Sequence, residues 1–404
     1  MSVNSLNFEQ VSTVLTSIVQ QATGQAIITP TTTGDFVSVA QVALRADRDS
    51  VMDAISNILA RTIFSIRPYS AKMTGLDMDT FRWGGMMRKL SIADTDWDDD
   101  EAYAYPVFYD ANQNPPDGEG LSIDRWKIKK PNVLQTNFYG QSVYADHMTI
   151  TEDQLETAFT GPEQLGSFLS LLMTNLSNRL EMSNESLRRG LVCNAIAALY
   201  EENQTDRVIH LLTEYNTLIN ATPPLTIQDI YNPAIFPAFC KWVYSRVAEI
   251  TDLFTANSTM FQTVITGKPI LRHTPYEYQK VYLYSPFQRQ TEAMVLADTF
   301  HDNYIRYSDV ETIPFWQSID TKDEVQATPA YVDNTGALVT SSAQTVSNVF
   351  GLIFDRDAMG MTILDRRVLS TPVNESGLYR NIWVHAKQRI VFDNTEKLCL
   401  LLLD

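Results

Sequence analysis

Residues 161–200 read "GPEQLGSFLSLLMTNLSNRLEMSNESLRRGLVCNAIAALY", and their spacing decides the fold. Leu165, Leu169, Leu172, Leu176, Leu180, Leu187, Leu191 and Ala195 recur at helical intervals, with Ser183 filling the stripe. That is the period of one helix face. Pro162 suits the first turn, where a missing N–H costs nothing. A single helix of about forty residues runs on the order of 60 Å, enough to span a whole domain. Two helices broken near Gly190 are the alternative.

Upstream the pattern changes. Thr151 and Gln154 make a capping box for a short helix reaching Phe159. Before it, Arg82–Tyr144 shows strand-like alternation in "YAYPVFY" and "RWKIKKPNVLQTNFY", broken by the turn-rich "DANQNPPDGEG". The reading is a large hairpin. One strand carries "DTDWDDDEAYAYP" (94–106), with six acids in eight residues, and the other carries "DRWKIKKPN" (124–132). Asp94, Asp96 and Asp98 stand at calcium-loop positions, but Asp99 replaces the required Gly and Tyr105 the bidentate Glu. The run therefore reads as a solvated charged strand.

Few aliphatic residues lie in this hairpin, so it cannot bury a core of its own and is expected to project and be covered by another subunit. Trp97, Tyr105 and Trp126 are candidate anchors there; cross-strand packing within the hairpin is their other reading. Asp98, Asp99, Asp100 and Glu101 face Lys127, Lys129 and Lys130 as candidate pairs across the hairpin or with neighbours. Such exposed pairs are worth only ~0–1 kcal/mol each, which suits partner choice more than strength. Gly84, Gly85 and Gly140 are candidate hinges. Arg188, Arg189, Arg366 and Arg367 are candidates for charge pairs between subunits.

The remaining chain divides cleanly. A helix from Asn7 carries Phe8, Val11, Leu15 and Ile18 on one face and stops at Gly24; residues 25–38 read as an extended Thr-rich arm. A further helix is expected from Asp49, with Met52, Ile55, Leu59 and Ile63 inward. Beyond Asn203 come a helix over 233–250, the strand "QKVYLYS", a helix from Pro286 and the strand "DVETIPFW". That order suggests a parallel or mixed sheet. "TPAYVDNTGALVTSSAQT" reads as a polar surface loop, and "NVFGLIFD", "RRVLST", "NIWVHAKQRIVFDN" and "KLCLLLL" as closing strands.

With 404 residues the chain exceeds the ~250–300 at which a single core stops growing. A net charge of −17 argues against an electrostatic nucleic-acid binder and against docking on an anionic membrane. Three dispersed cysteines (Cys193, Cys240, Cys399) fit buried thiols in a reducing compartment. The start has no basic region followed by an apolar core, so no secretory signal is expected, and no apolar run is long enough for a membrane span. "TGKP" at 266–269 lacks the rest of a phosphate loop, and the five histidines have no ligand spacing. No catalytic residue, cofactor or metal is expected, and the reading is of a structural protein.

Three stretches carry a family resemblance: residues 129–176 from "KKPNVLQ" to "LLMTNL", "HTPYEYQKVYLYSPFQRQTEAMVLADTF" (273–300) and "SGLYRNIWVHAKQRIVFDNTEKLCLLLL" (376–403). In this order they resemble the major capsid proteins of tailed bacteriophages with the Hong Kong 97-type fold, closest to the short-tailed phi 29-like phages. The resemblance implies an α+β capsid fold: N-terminal helix and arm (1–47), start of the P-domain (48–81), E-loop hairpin (82–149), P-domain with spine helix (150–205), A-domain (206–354) and a return to the P-domain (355–404). It implies a subunit that self-assembles as pentamers and hexamers into an icosahedral head around double-stranded DNA, made in the host cytoplasm and resident in the virion. A scaffolding protein and a portal are the implied partners. An encapsulin-type nanocompartment shares the fold; an α/β enzyme and a ring-forming adaptor or tail component are the rivals of other classes.

Overall fold

The computed structural model describes residues 8–23, 29–46, 72–78, 87–92, 133–139, 142–151, 153–154, 161–267, 269–295 and 310–404. Helix α1 (Phe8–Thr23) buries Val11, Leu15, Ile18 and Val19, the face its spacing predicts. The expected arm contains a second helix, α2 (Thr33–Ala46). Its start is set by Thr32, whose Oγ1 accepts from the Asp35 N–H at 3.2 Å and donates to the Asp35 carboxylate at 2.7 Å. Phe36 and Ala40, four apart, then give it a buried stripe that outweighs the β preference of the threonines. The helix expected from Asp49 lies outside the described residues.

Strands β1 (Met87–Ile92) and β2 (Val133–Phe138) pair antiparallel, from Met87 opposite Phe138 to Ile92 opposite Val133. The base of the expected hairpin is thus formed, and its tip lies outside the described residues. Strand β3 (Ser142–Thr151), expected as part of that hairpin, joins a different sheet. The capping box after it is present: Thr151 N–H and Gln154 N–H each donate to the other's side-chain oxygen, at 3.3 and 3.4 Å.

Helix α3 (Pro162–Glu202) is continuous over 41 residues. Gly190 does not break it; a Cβ there would meet nothing within 4 Å. The helix ends where Asn203 turns left-handed (φ 43°) and donates its N–H to the Leu199 carbonyl.

A five-stranded mixed sheet follows, in the order β4 (Val208–His210), β14 (Leu398–Leu402), β11 (Val349–Asp355), β5 (Gln279–Tyr284), β6 (Val310–Ile313). The β4–β14 and β5–β6 pairs are parallel, the central pairs antiparallel. It is buried on both faces, so its strands read as continuous apolar runs. Leu398, Leu400 and Leu402 pack with Leu191, Val192, Ala195, Ile196 and Leu199 of α3. Cys399, Leu401 and Leu403 point oppositely, into a core with Phe239, Val243 and Val247 of helix α6 (Phe236–Thr255) and Leu212 of helix α4 (Leu211–Ile219). Between these lies the short α5 (Ile227–Ile230), and α7 (Ser285–Val295) follows β5 directly. The closing strand 398–402 is therefore the second strand of this sheet.

A three-stranded antiparallel sheet, β12 (Met359–Ser370), β13 (Tyr379–Phe392) and β3, lies on the middle of α3. Val384 and Ala386 meet Leu176 and Leu180 there, joined by Tyr144, Met148 and Val368. The expected polar loop at 328–345 is partly strand: β8 (Ala330–Val332) pairs with β9 (Leu338–Thr340) across a turn at Gly336 (φ 85°). Beside it, β10 (Gln344–Val346) pairs with β7 (Val325–Ala327). Backbone pairing there satisfies groups that a loop would leave to water. Among the described residues, no helix is long and apolar enough to cross a membrane.

Candidate assembly surfaces

Alternation along β1 sends Met87, Lys89 and Ser91 toward the body and Arg88, Leu90 and Ile92 away from it. On the inner side, the Lys89 ammonium lies 2.7 Å from the Asp393 carboxylate and also pairs with Glu396. Arg272 bonds Glu396 too, and reaches the Ser91 and Thr395 hydroxyls at 3.3 Å each. Lys89 is 23% exposed, Asp393 and Glu396 only 1% and 8%.

Burial works against the Lys89 ammonium, but the two carboxylates prevail and hold its pKa above the ordinary 10.5. Burial likewise opposes the Asp393 carboxylate, yet Lys89, Thr395 and Arg272 keep it below 3.8. For Glu396 burial prevails over both cations and lifts it above 4.5. A half-dry ion cluster thus fastens the hairpin base.

The turn that supplies these carboxylates, Asp393–Lys397, is polar at every position and buried at every position. Its residues reach several elements. The Asn394 amide nitrogen lies 2.8 Å from Glu202 at the end of α3, 2.8 Å from the Thr263 hydroxyl and 2.7 Å from the Val332 carbonyl. Arg207, fully buried, pairs with Glu202 and donates to Thr263 at 2.6 Å. The Lys397 ammonium donates to the Phe254 and Ala256 carbonyls at 3.0 and 2.7 Å, capping the C-terminus of α6. Burial pushes that lysine down to about 8. One turn thus ties the hairpin, the long helix and the mixed sheet together.

The outer side of the hairpin differs. Leu90 and Ile92 are 63% and 62% exposed, and Val133, opposite Ile92, is 43% exposed. Three large apolar side chains on one face of a strand pair form a patch of the kind that a partner covers.

The residues singled out from the sequence fall in two groups. Trp97, Asp98, Asp99, Asp100, Glu101, Tyr105, Trp126, Lys127, Lys129, Lys130, Gly84, Gly85 and Gly140 lie outside the described residues. The arginines have partners within the chain. Arg188 is buried and forms a two-pronged pair with Asp77 at 2.9 and 2.7 Å. Arg189 is buried, pairs with Glu185 at 2.7 Å and lies 3.8 Å over the Phe315 ring. Arg366 is engaged within the chain, and Arg367 pairs with Asp365 at 2.7 Å while remaining 69% exposed. Helix periodicity places Arg188 and Arg189 beside the buried stripe, where an isolated charge is not tolerated; a within-chain carboxylate is the physical requirement. Sequence reasoning missed Lys89, Asp393 and Glu396; the alternation of "MRKLSI" was a signal for Lys89 alone. Among the described residues, no three His, Cys, Asp or Glu side chains gather as a metal site needs.

The profile of the Phi29-like phage major capsid protein family matches residues 15–401, nearly the whole chain. The chain belongs to that family. It is a major capsid protein, a structural shell subunit whose place is the virion. Two solved structures have the same fold. The capsid structure of Staphylococcus phage Andhra aligns at 12% identity over 84% of this chain and 87% of that one, with a TM-score of 0.51. A chain in the structure of head fiber and inner core protein gp22 of native bacteriophage P68 aligns at 12% identity over 83% and 85%, with a TM-score of 0.50. A comparison with curated proteins found no match.

Proposed function

We propose that the subunit assembles as pentamers and hexamers into a closed icosahedral head that encloses double-stranded DNA without sequence-specific contacts. In this reading the chain has the Hong Kong 97-type arrangement. The hairpin rooted at β1–β2 is the E-loop that laps over an adjacent subunit, α3 with the β12–β13–β3 sheet is the P-domain, and the lobe around the mixed sheet is the A-domain that meets its copies about the symmetry axes. A scaffolding protein and a portal are its partners during assembly in the host cytoplasm.

The observation that supports this best is the two-sided hairpin base, fastened to its own body through Lys89 and open with Leu90, Ile92 and Val133 on the other side. A hairpin held this way presents apolar surface that is complete only against a second subunit. The test is the mass and shape of the purified protein, by light scattering and negative-stain microscopy. Closed shells are expected, alone or with a co-expressed scaffold. A monodisperse monomer or small ring under both conditions overturns the reading.

A further inference from the structure

The charges at the hairpin root are divided unevenly between the parts they join. Both carboxylates belong to the body. The turn that carries Asp393 and Glu396 is held by the Asp393 N–H on the Ala358 carbonyl at 2.7 Å. At its other end the Lys397 carbonyl accepts from the Asp355 N–H at 2.9 Å. Arg272 belongs to the body as well, its backbone paired in both directions with Ser258 at 3.0 and 3.1 Å. Lys89 alone comes with the hairpin. Among the described residues, β1 and β2 pair with each other and with no further strand, and none of their side chains is buried. A two-stranded pair is marginal by itself, so its order follows its docking.

Lys89 and Arg272 reach the same oxygen, Glu396 Oε1. When Lys89 leaves, Glu396 keeps Arg272. Asp393 keeps the Thr395 N–H and hydroxyl on its Oδ1, at 3.0 and 2.6 Å. It also keeps the field of Arg272, which acts on both carboxylates. Removing one partner of a buried pair is costly because it strands the other charge. Here a second cation already stands beside the charges that would be stranded. Two cations on one carboxylate oxygen also repel, so Arg272 weakens the hold on Lys89.

We propose that Arg272 is a standby counter-ion that makes the hairpin root releasable: Lys89 withdraws with β1 while Asp393 and Glu396 stay compensated and the body stays folded. This role concerns the single subunit and holds whether or not shells form. It also carries a sign that a structural tie does not. Arg272 donates to the Ser91 hydroxyl of β1 at 3.3 Å. As a tie, its loss would loosen the hairpin; as a standby cation, its loss tightens it.

Amide hydrogen exchange on the full chain, in its unassembled fraction, tests this. The amides of residues 87–92 report local opening of the root. In Arg272→Gln their exchange is expected to slow about tenfold or more, since opening then leaves two buried carboxylates without a cation. Arg272→Lys, which restores the charge, is expected to return exchange to the wild-type rate. Residues 191–199 of α3, in the apolar core, are followed alongside to separate local opening from global unfolding. Where Arg272→Gln does not fold, Arg272→Met takes its place. Exchange at 87–92 that is unchanged or faster without the arginine overturns the proposal and leaves Arg272 a simple tie. Equal slowing in Arg272→Lys overturns it too, because charge is then not the cause.

Discussion

Lys397 shows how one buried side chain reports its surroundings. It is fully buried, its ammonium donates to the last carbonyls of α6, and its pKa is lowered to about 8. Below pH 8 both folded and unfolded states carry the proton, and the folded state bears the cost of a dry charge. Between pH 8 and the unfolded value near 10.5 only the unfolded state holds it, so stability rises with pH there. Lys397→Met leaves two helix-end carbonyls unsatisfied, at a cost of about 1–3 kcal/mol. The stability gap between wild type and variant is expected to widen from pH 8 to 10, read by urea unfolding at both values. Asp393 moves stability in the same direction with pH, but its charged form is the favoured one in the fold. Its lowered pKa adds stability above its ordinary 3.8, lost as pH falls through the folded value. Lys89→Met removes the main cause, leaves buried Asp393 without its ion-pair partner and Glu396 with Arg272 alone, and should cost roughly 3 kcal/mol at pH 7. A variant whose unfolding midpoint matched wild type at pH 7 would show that the ion cluster does not fasten the hairpin.

At the scale of elements, helix α3 and strand β11 respond in opposite ways to the same change. Gly190 lies mid-helix with open space where a Cβ would stand. Gly190→Ala is expected to raise stability by about 0.5–1 kcal/mol through helix propensity, visible as a higher melting temperature. At Gly351, in the centre of the mixed sheet beside a register shift, a Cβ would meet Leu283 Cδ2 and the Tyr282 carbonyl, both at 2.9 Å. Both atoms belong to β5, whose backbone is held against β11 by the strand pairing and cannot give way there, so Gly351→Ala is expected to lower stability by about 1–3 kcal/mol. Equal melting temperatures for the two variants would contradict the packing described here.

For the whole molecule the decisive question is which surfaces copies bury. Leu90 and Ile92 stand outward on a hairpin whose inner side is fastened through Lys89. Leu90→Asp/Ile92→Asp is expected to leave the subunit's melting temperature unchanged within about 0.5 kcal/mol of stability, since exposed positions carry little folding energy. The same pair should abolish shells in negative-stain images, because a charge placed in a covered interface is desolvated without a partner. Intact shells from this variant would exclude the hairpin's outer side as a contact. A destabilised monomer would mean that the hairpin packs on its own body there.

Local patterns in the sequence were enough to determine the periodic parts. The leucine stripe of 165–195 became one continuous helix because each residue's face follows from its own spacing. "KLCLLLL" became a strand buried on both sides because an unbroken apolar run has no solvent face. Family-level resemblance in 129–176 and 376–403 carried the capsid assignment. The tertiary structure decided which strands meet and which polar groups go inside. Strand β3 leaves the hairpin for the β13 edge, β14 enters the mixed sheet, and Arg188 and Arg189 turn to Asp77 and Glu185 within the subunit. "DNTEK" carries every mark of a surface turn, yet all of it is buried, because its partners Lys89, Glu202, Arg272 and the end of α6 lie over a hundred residues away in sequence. Periodicity is a property of neighbours along the chain; charge compensation and strand pairing are properties of neighbours in space, and only the folded molecule brings those together.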